Sequence, residues 1–149
     1  MASSTKSWQD KTTAYRETAY SKIPSEWRLP EKYSHYLADP TSAESVFHVP
    51  AECGILNSKE VEITEKYTAI TLANAIAKGE LKAVDVATAF CKRAAVAQQL
   101  LCCLTETMFD FALKRAKELD EYLEKEGKVM GPLHGVPISL KVRDKFLTH

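Results

Sequence analysis

Hydrophobic residues recur at helical spacing through the middle of the chain. Thr68 is a residue type that caps helix N-termini, because its side-chain oxygen accepts a hydrogen bond from a backbone N–H of the first turn. Gly79 stands where a left-handed C-cap is expected. The pattern predicts a helix from Thr68 to about Lys78. Its core face is formed by Leu72, Ala75 and Ile76.

Two longer helices are predicted further along the chain. One runs from about Val84 to Gln98, and the next runs from about Met108 to Lys125 and ends at Gly127. The apolar run 101–105 between them, which is short and bounded by helices, is predicted to be a strand. The expected core faces are Val86, Ala89, Phe90 and Ala94 on the first helix, and Ala112, Ala116, Leu119 and Leu123 on the second.

The first 56 residues are polar and contain several prolines. Weaker helical patterns cover residues 8–21 and 31–37. The segment 23–30 is predicted to be irregular, because each proline disfavours the helical conformation of the residue before it. Trp27 and Leu29 are expected to pack on the body of the protein.

Composition excludes several classes of function. The chain has 149 residues, of which 45% are hydrophobic and 27% are charged, and its formal net charge is zero. These values are ordinary for a globular domain, and no excess charge favours nucleic acid. No apolar run is long enough for a membrane span, and the polar N-terminus does not resemble a secretory signal. We therefore expect a cytoplasmic protein.

The four cysteines show no metal-binding pattern. They have no CxxC spacing, and no histidine pair lies near them at ligand spacing. Neither a metal site nor a cofactor site is predicted, and the thiols are expected to be reduced. The adjacent pair Cys102–Cys103 is interpreted as packing rather than redox chemistry.

The segment from Gly131 to Lys141 carries the candidate chemistry. Its second half alternates as a strand would, with Val136, Ile138 and Leu140 on one face and Pro137, Ser139 and Lys141 on the other. Gly131 and Gly135 permit tight turns on either side of His134. On its own, this pattern indicates a solvated lysine at a strand end and a histidine whose ring hydrogen-bonds locally.

The same eleven residues look like the opening signature of the amidase signature family, serine hydrolases that cleave carbon–nitrogen bonds. Residues 81–86 and 112–120 also resemble the N-terminal helices of that family, and residues 23–30 resemble the extension of fungal acetamidase-type members. The resemblance implies an α/β fold, a mixed β-sheet flanked by helices, of which this chain holds the N-terminal helical part and is truncated after an early strand. It divides the chain into an extension (1–60), the start of the amidase signature domain (61–141) and a tail (142–149).

In this family a Ser-Ser-Lys triad hydrolyses small-molecule amides without a metal or organic cofactor. The resemblance makes Lys141 the catalytic base, because Lys141 stands four residues after Pro137, whereas Lys145 does not fit that spacing. The two serines belong to a Gly- and Ser-rich stretch, and no serine adjoins any of the five glycines here. Ser139 is not nominated in their place. The chain alone is therefore expected to be inactive; the alternatives are a helical binding module and a truncated product without function.

Residues 142–149 do not continue the family pattern. Valine codons begin with GT, so Val142–Arg143 fits the translation of an intron donor site. We interpret the tail as read-through of an unspliced intron, which genomic DNA lacking GT after the Lys141 codon would exclude. A strand without its neighbours exposes an edge, so we expect a helix-rich, marginally stable chain that self-associates.

Overall fold

The computed structural model describes residues 7–38 and 44–140, and the described part is built from helices. Lys141 and the tail 142–149 lie outside it. Within the described residues, no helix is both long enough and apolar enough to cross a bilayer. The helices are α1 (Trp8–Ser21), α2 (His35–Ala38), α3 (Val49–Glu52), α4 (Ser58–Lys66), α5 (Ala69–Ala77), α6 (Ala83–Leu101) and α7 (Phe109–Glu126), with 3-10 turns at Ser25–Trp27 and Glu31–Tyr33.

Local sequence signals place most helix ends. The side chain of Thr68 accepts from the N–H of Thr71 at 3.2 Å, and the hydroxyl of Thr71 accepts from the N–H of Thr68 at 2.8 Å. The same reciprocal cap starts α1 and α4. Gly79 follows α5 and Gly127 ends α7, with φ of 72° and 64°. The predicted helices at 68–78, 84–98 and 108–125 are thereby confirmed.

Helix α6 is the centre of the molecule, because it contributes to all three apolar clusters. Its first half packs with α4, α5 and α7. Its second half packs with Trp27 and Phe109 on one side and with Tyr33, Val49 and Leu56 on another. The N-terminal segment therefore wraps the second half of α6, and the predicted packing of Trp27 and Leu29 is confirmed.

Gln99 joins that N-terminal segment to α6. It is 9% exposed, its side-chain oxygen accepts from the N–H of Leu29 at 2.9 Å, and its side-chain nitrogen donates to the carbonyl oxygen of Trp27 at 2.9 Å. A buried amide with paired donor and acceptor fixes a register that apolar contacts alone would leave loose.

The strand predicted at 101–105 is wrong. Helix α6 continues to Leu101, and Cys102 ends it in the left-handed conformation, with its N–H bonded to the carbonyl oxygen of Gln98. Leu101 is 59% exposed, so the apolar run does not mark a buried strand. The packing interpretation of Cys102 and Cys103 is also wrong, because both are exposed at this helix end.

Candidate active site

The ten residues that precede Lys141 form a turn followed by a segment without regular secondary structure. Lys141 itself lies outside the described residues, so the structure describes what holds its approach rather than the lysine. In the turn, the N–H of His134 donates to the carbonyl oxygen of Gly131, and the N–H of Val136 donates to that of Leu133, both at 3.1 Å. Residues 131–136 thus form two overlapping turns after α7.

Gly135 fits this turn for two reasons. Its φ is +77°, a conformation that costs an L-residue about 1–2 kcal/mol. A Cβ at this position would also lie 2.7 Å from the Cβ of Ala83 and 3.0 Å from the Cδ1 of Ile76. The turn is therefore seated directly on the end of α5 and the start of α6, at a distance that only glycine permits.

The His134 side chain stabilises the turn through a hydrogen bond to the backbone. The residue is 5% exposed, and its Nδ1 accepts a hydrogen bond from the backbone N–H of Met130 at 3.1 Å. Because Nδ1 is the acceptor, a neutral ring carries its proton on Nε2. The local hydrogen bond predicted for this ring is confirmed. Nε2 is buried without a hydrogen-bond partner, so none of the described residues supplies His134 with the acid or serine that a role as a base would need.

Asp120, on α7, caps the start of α6, on which the turn packs. Its carboxylate accepts from the backbone N–H groups of Ala83 at 2.7 Å and Val84 at 2.9 Å, where the α6 N-cap residue Lys82 makes no side-chain cap. A carboxylate at this position accepts hydrogen bonds from backbone N–H groups that have no partner within the helix, and its negative charge interacts favourably with the positive end of the helix dipole. No local sequence pattern predicts this role, because Asp120 is 37 residues from Ala83 and 36 residues from Val84 along the chain.

The strand predicted at 136–140 is absent from the described part of the chain, where no strand lies beside it. A strand is stabilised by hydrogen bonds to a neighbouring strand. Because the described residues contain no such neighbour, residues 136–140 do not form a strand here. Val136 is half-buried against the core, whereas Ile138 and Leu140 are 68% and 74% exposed. Ser139 is exposed as well. The predicted alternation therefore leaves an apolar face open to solvent.

Metal ligands, surface depressions and thiols are the other features of the described residues that could carry chemistry. They contain no group of three or more His, Cys, Asp or Glu side chains that could hold a metal ion. Two surface depressions, one along α4 and one at the start of α7, are not lined by residues 131–140. All four cysteines are free, and burial raises the pKa of the Cys91 thiol to about 11.

Comparison with known proteins shows which family this part of the chain matches. The family model Amidase matches residues 85–145, which include the turn and its approach to Lys141. An amidase from Gibberella moniliformis is 52% identical over 90% of this chain and 25% of its own length. The chain belongs to the amidase family. An acetamidase from Emericella nidulans is 43% identical over 91% of the chain and 23% of its own length.

A solved structure has a similar fold over this part of its chain. Fatty acid amide hydrolase superposes with a TM-score of 0.71 at 36% identity, over 89% of this chain and 23% of the other. The chain spans about a quarter of the length of the amidases it matches. Membership confirms the resemblance carried by residues 131–141, and the described helices correspond to a quarter of an amidase.

Proposed function

We propose that the complete protein hydrolyses the carbon–nitrogen bond of carboxylic amides, releasing a carboxylate and ammonia or an amine, with Lys141 as the base. The amidase match across residues 85–145, which covers the Gly131–Gly135 turn and Lys141, is the observation that supports the proposal most strongly. The names of the matched relatives, amidase and acetamidase, support amide hydrolysis as the reaction.

The reaction needs a nucleophile, a base that activates it, and donors for the oxyanion. Lys141 can serve as base only when neutral, so burial and nearby donors must lower its pKa from about 10.4. In the proposed mechanism Lys141 takes a proton, through a bridging serine, from a nucleophilic serine. Both serines lie in the part of an amidase that this chain does not span.

The described residues have a positioning role in this mechanism. The turn at residues 131–136 packs through Gly135 on the start of α6, which Asp120 caps, and a hydrogen bond of His134 stabilises the turn itself. Residues 136–140 lead from this turn to Lys141. In the complete protein we propose that these five residues form a strand of a mixed sheet in the amidase signature domain, which begins near residue 61. Pairing there would bury Ile138 and Leu140, which are largely exposed here, and would remove an edge that favours self-association.

Short aliphatic amides are the proposed substrates, because two acetamidases match at 43% and 42% identity. The proposed compartment is the cytoplasm, since free thiols such as the four found here persist in reducing compartments. No metal or organic cofactor takes part in the proposed reaction.

The test is ammonia release from acetamide by the complete gene product, with the 149-residue chain assayed in parallel. The complete protein should release ammonia and be inactivated by a serine-directed fluorophosphonate, whereas the chain alone should do neither. Activity in the 149-residue chain would refute the assignment of the nucleophile to another part of the protein. A folded complete protein that hydrolyses no amide would refute the function.

A second candidate function is a helical binding module. It is favoured by the three apolar clusters around α6, which give the described helices a core of their own. Saturable, one-to-one association of the folded chain with a full-length copy in sedimentation velocity would support it. Open-ended aggregation would instead indicate a truncated product without function.

A further inference from the structure

Two adjacent thiols stand at the exposed end of α6. Cys102 and Cys103 are both exposed and unpaired, whereas Cys53 and Cys91 are buried. Burial also raises the pKa of the Cys91 thiol to about 11, which keeps that thiol protonated and unreactive near neutral pH. The four cysteines therefore fall into two classes, and only the adjacent pair is open to reagents in solution.

The backbone around the pair is held on both sides by one residue. The carbonyl oxygen of Gln98 accepts from the N–H of Cys102 at 3.0 Å, and the Gln98 side-chain oxygen accepts from the N–H of Leu104 at 2.6 Å. Cys102 has φ 48° and ψ 41°, the left-handed conformation. A backbone fixed before binding loses less conformational entropy when a ligand joins both thiols.

The loop that follows the pair is tied to the N-terminal helix region. The Tyr15 hydroxyl donates to the carbonyl oxygen of Thr105, and the Lys22 ammonium lies 3.1 Å from the Glu106 carboxylate. These ties fix the loop without covering the pair, because both cysteines remain exposed in their presence.

We propose that Cys102 and Cys103 form a vicinal dithiol site for thiophilic ligands that carry two replaceable oxygen groups, with trivalent organoarsenicals as the defining class. An arylarsonous acid reacts as R–As(OH)₂ + 2 Cys–SH → R–As(S–Cys)₂ + 2 H₂O. Two As–O bonds break and two As–S bonds form. Each thiol proton leaves with a hydroxyl group as water, and no atom changes its oxidation state. The inference is independent of the proposed amidase function.

The experiment uses the 149-residue chain and phenylarsine oxide, with binding followed by intact mass spectrometry. We expect one arsenical per chain, resistant to excess monothiol and released by a dithiol. Closing the second As–S bond is intramolecular, so losing either thiol should weaken binding by about 100-fold or more. Cys102→Ser and Cys103→Ser should both lose the monothiol-resistant adduct, whereas Cys91→Ala should retain it.

Cys102→Gly separates loss of the thiol from loss of the fold, because glycine adopts the left-handed conformation of this position without strain. This variant should keep the circular dichroism spectrum of the parent and lose the adduct. A monothiol-resistant adduct that survives in either serine variant would overturn the proposal. So would a parent chain that forms no such adduct although both exposed thiols react with iodoacetamide.

Discussion

Replacing Gly135 with alanine tests how the turn before Lys141 is seated. The added Cβ would meet the Cβ of Ala83 at 2.7 Å, and the Cδ1 and Cγ2 of Ile76 at 3.0 and 3.3 Å. The Ile76 side chain can shift by a few tenths of an ångström. The Cβ of Ala83 cannot, because it is fixed by the backbone at the start of α6, where Asp120 holds the N–H groups. The turn itself must therefore move.

Two terms set the expected loss of stability. A φ of +77° costs alanine about 1–2 kcal/mol relative to glycine. Forcing an extra methyl group into a close-packed contact typically costs about 1–3 kcal/mol. Gly135→Ala should therefore lower the free energy of unfolding by about 2–5 kcal/mol, a large share of the stability of a domain of this size.

Gly127→Ala is the matched control, because Gly127 has φ +64° and a Cβ there would meet nothing within 4 Å. It carries the backbone term alone, about 1–2 kcal/mol. The assay is urea unfolding of parent and variants, followed by far-ultraviolet circular dichroism. Equal losses in the two variants would refute a tight contact between Gly135 and Ala83.

Three further results are expected. Asp120→Ala should cost about 1–2 kcal/mol in urea unfolding because it uncaps α6, whereas Glu118→Gln, at an exposed 2.9 Å ion pair within α7, should change stability by less than about 0.5 kcal/mol; equal effects would contradict the capping role. Lys92→Met should cost about 3 kcal/mol, because it removes the cation 2.7 Å from the Glu60 carboxylate, which is 12% exposed and is left with its capping bond from the N–H of Asn57. Adding Glu60→Gln, which can still accept that capping bond, should recover part of the loss; strictly additive effects in the double-mutant cycle would refute the coupling. Folding raises the pKa of the Cys91 thiol from 9.0 to about 11, so this group should leave stability unchanged below pH 9 and lower it between pH 9 and 11. Cys91→Ala should reduce that decline; an unchanged decline in the variant would count against burial of the thiol.

Local signals made most of the helical architecture predictable. Thr68, Gly79 and Gly127 act within one turn of the residues they cap, so sequence alone places those helix ends. The run 101–105 failed because a short apolar segment has the same pattern in a strand and at a helix end. The decisive event, a left-handed cysteine held by Gln98, has no sequence signature.

The candidate site was predictable only in part. The turn around His134 and the family resemblance follow from eleven consecutive residues. The contact of Gly135 with Ala83 and the cap supplied by Asp120 join residues far apart in the chain, so no local sequence pattern predicts either of them. The strand before Lys141 was predicted from alternation, which indicates the faces of a strand but not whether a neighbour is present to pair with it.

Lys141 is proposed to be the base of an amide hydrolase. The most direct measurement is the rate of ammonia release from acetamide by the complete protein carrying Lys141→Ala, beside the same protein carrying Lys145→Ala. A general base contributes roughly 10²–10⁴-fold to the rate, so Lys141→Ala should lower the rate by at least about 100-fold, while Lys145→Ala stays close to the parent rate. A folded Lys141→Ala variant that keeps the parent rate, or an equal loss in both variants, would show that Lys141 is not the base.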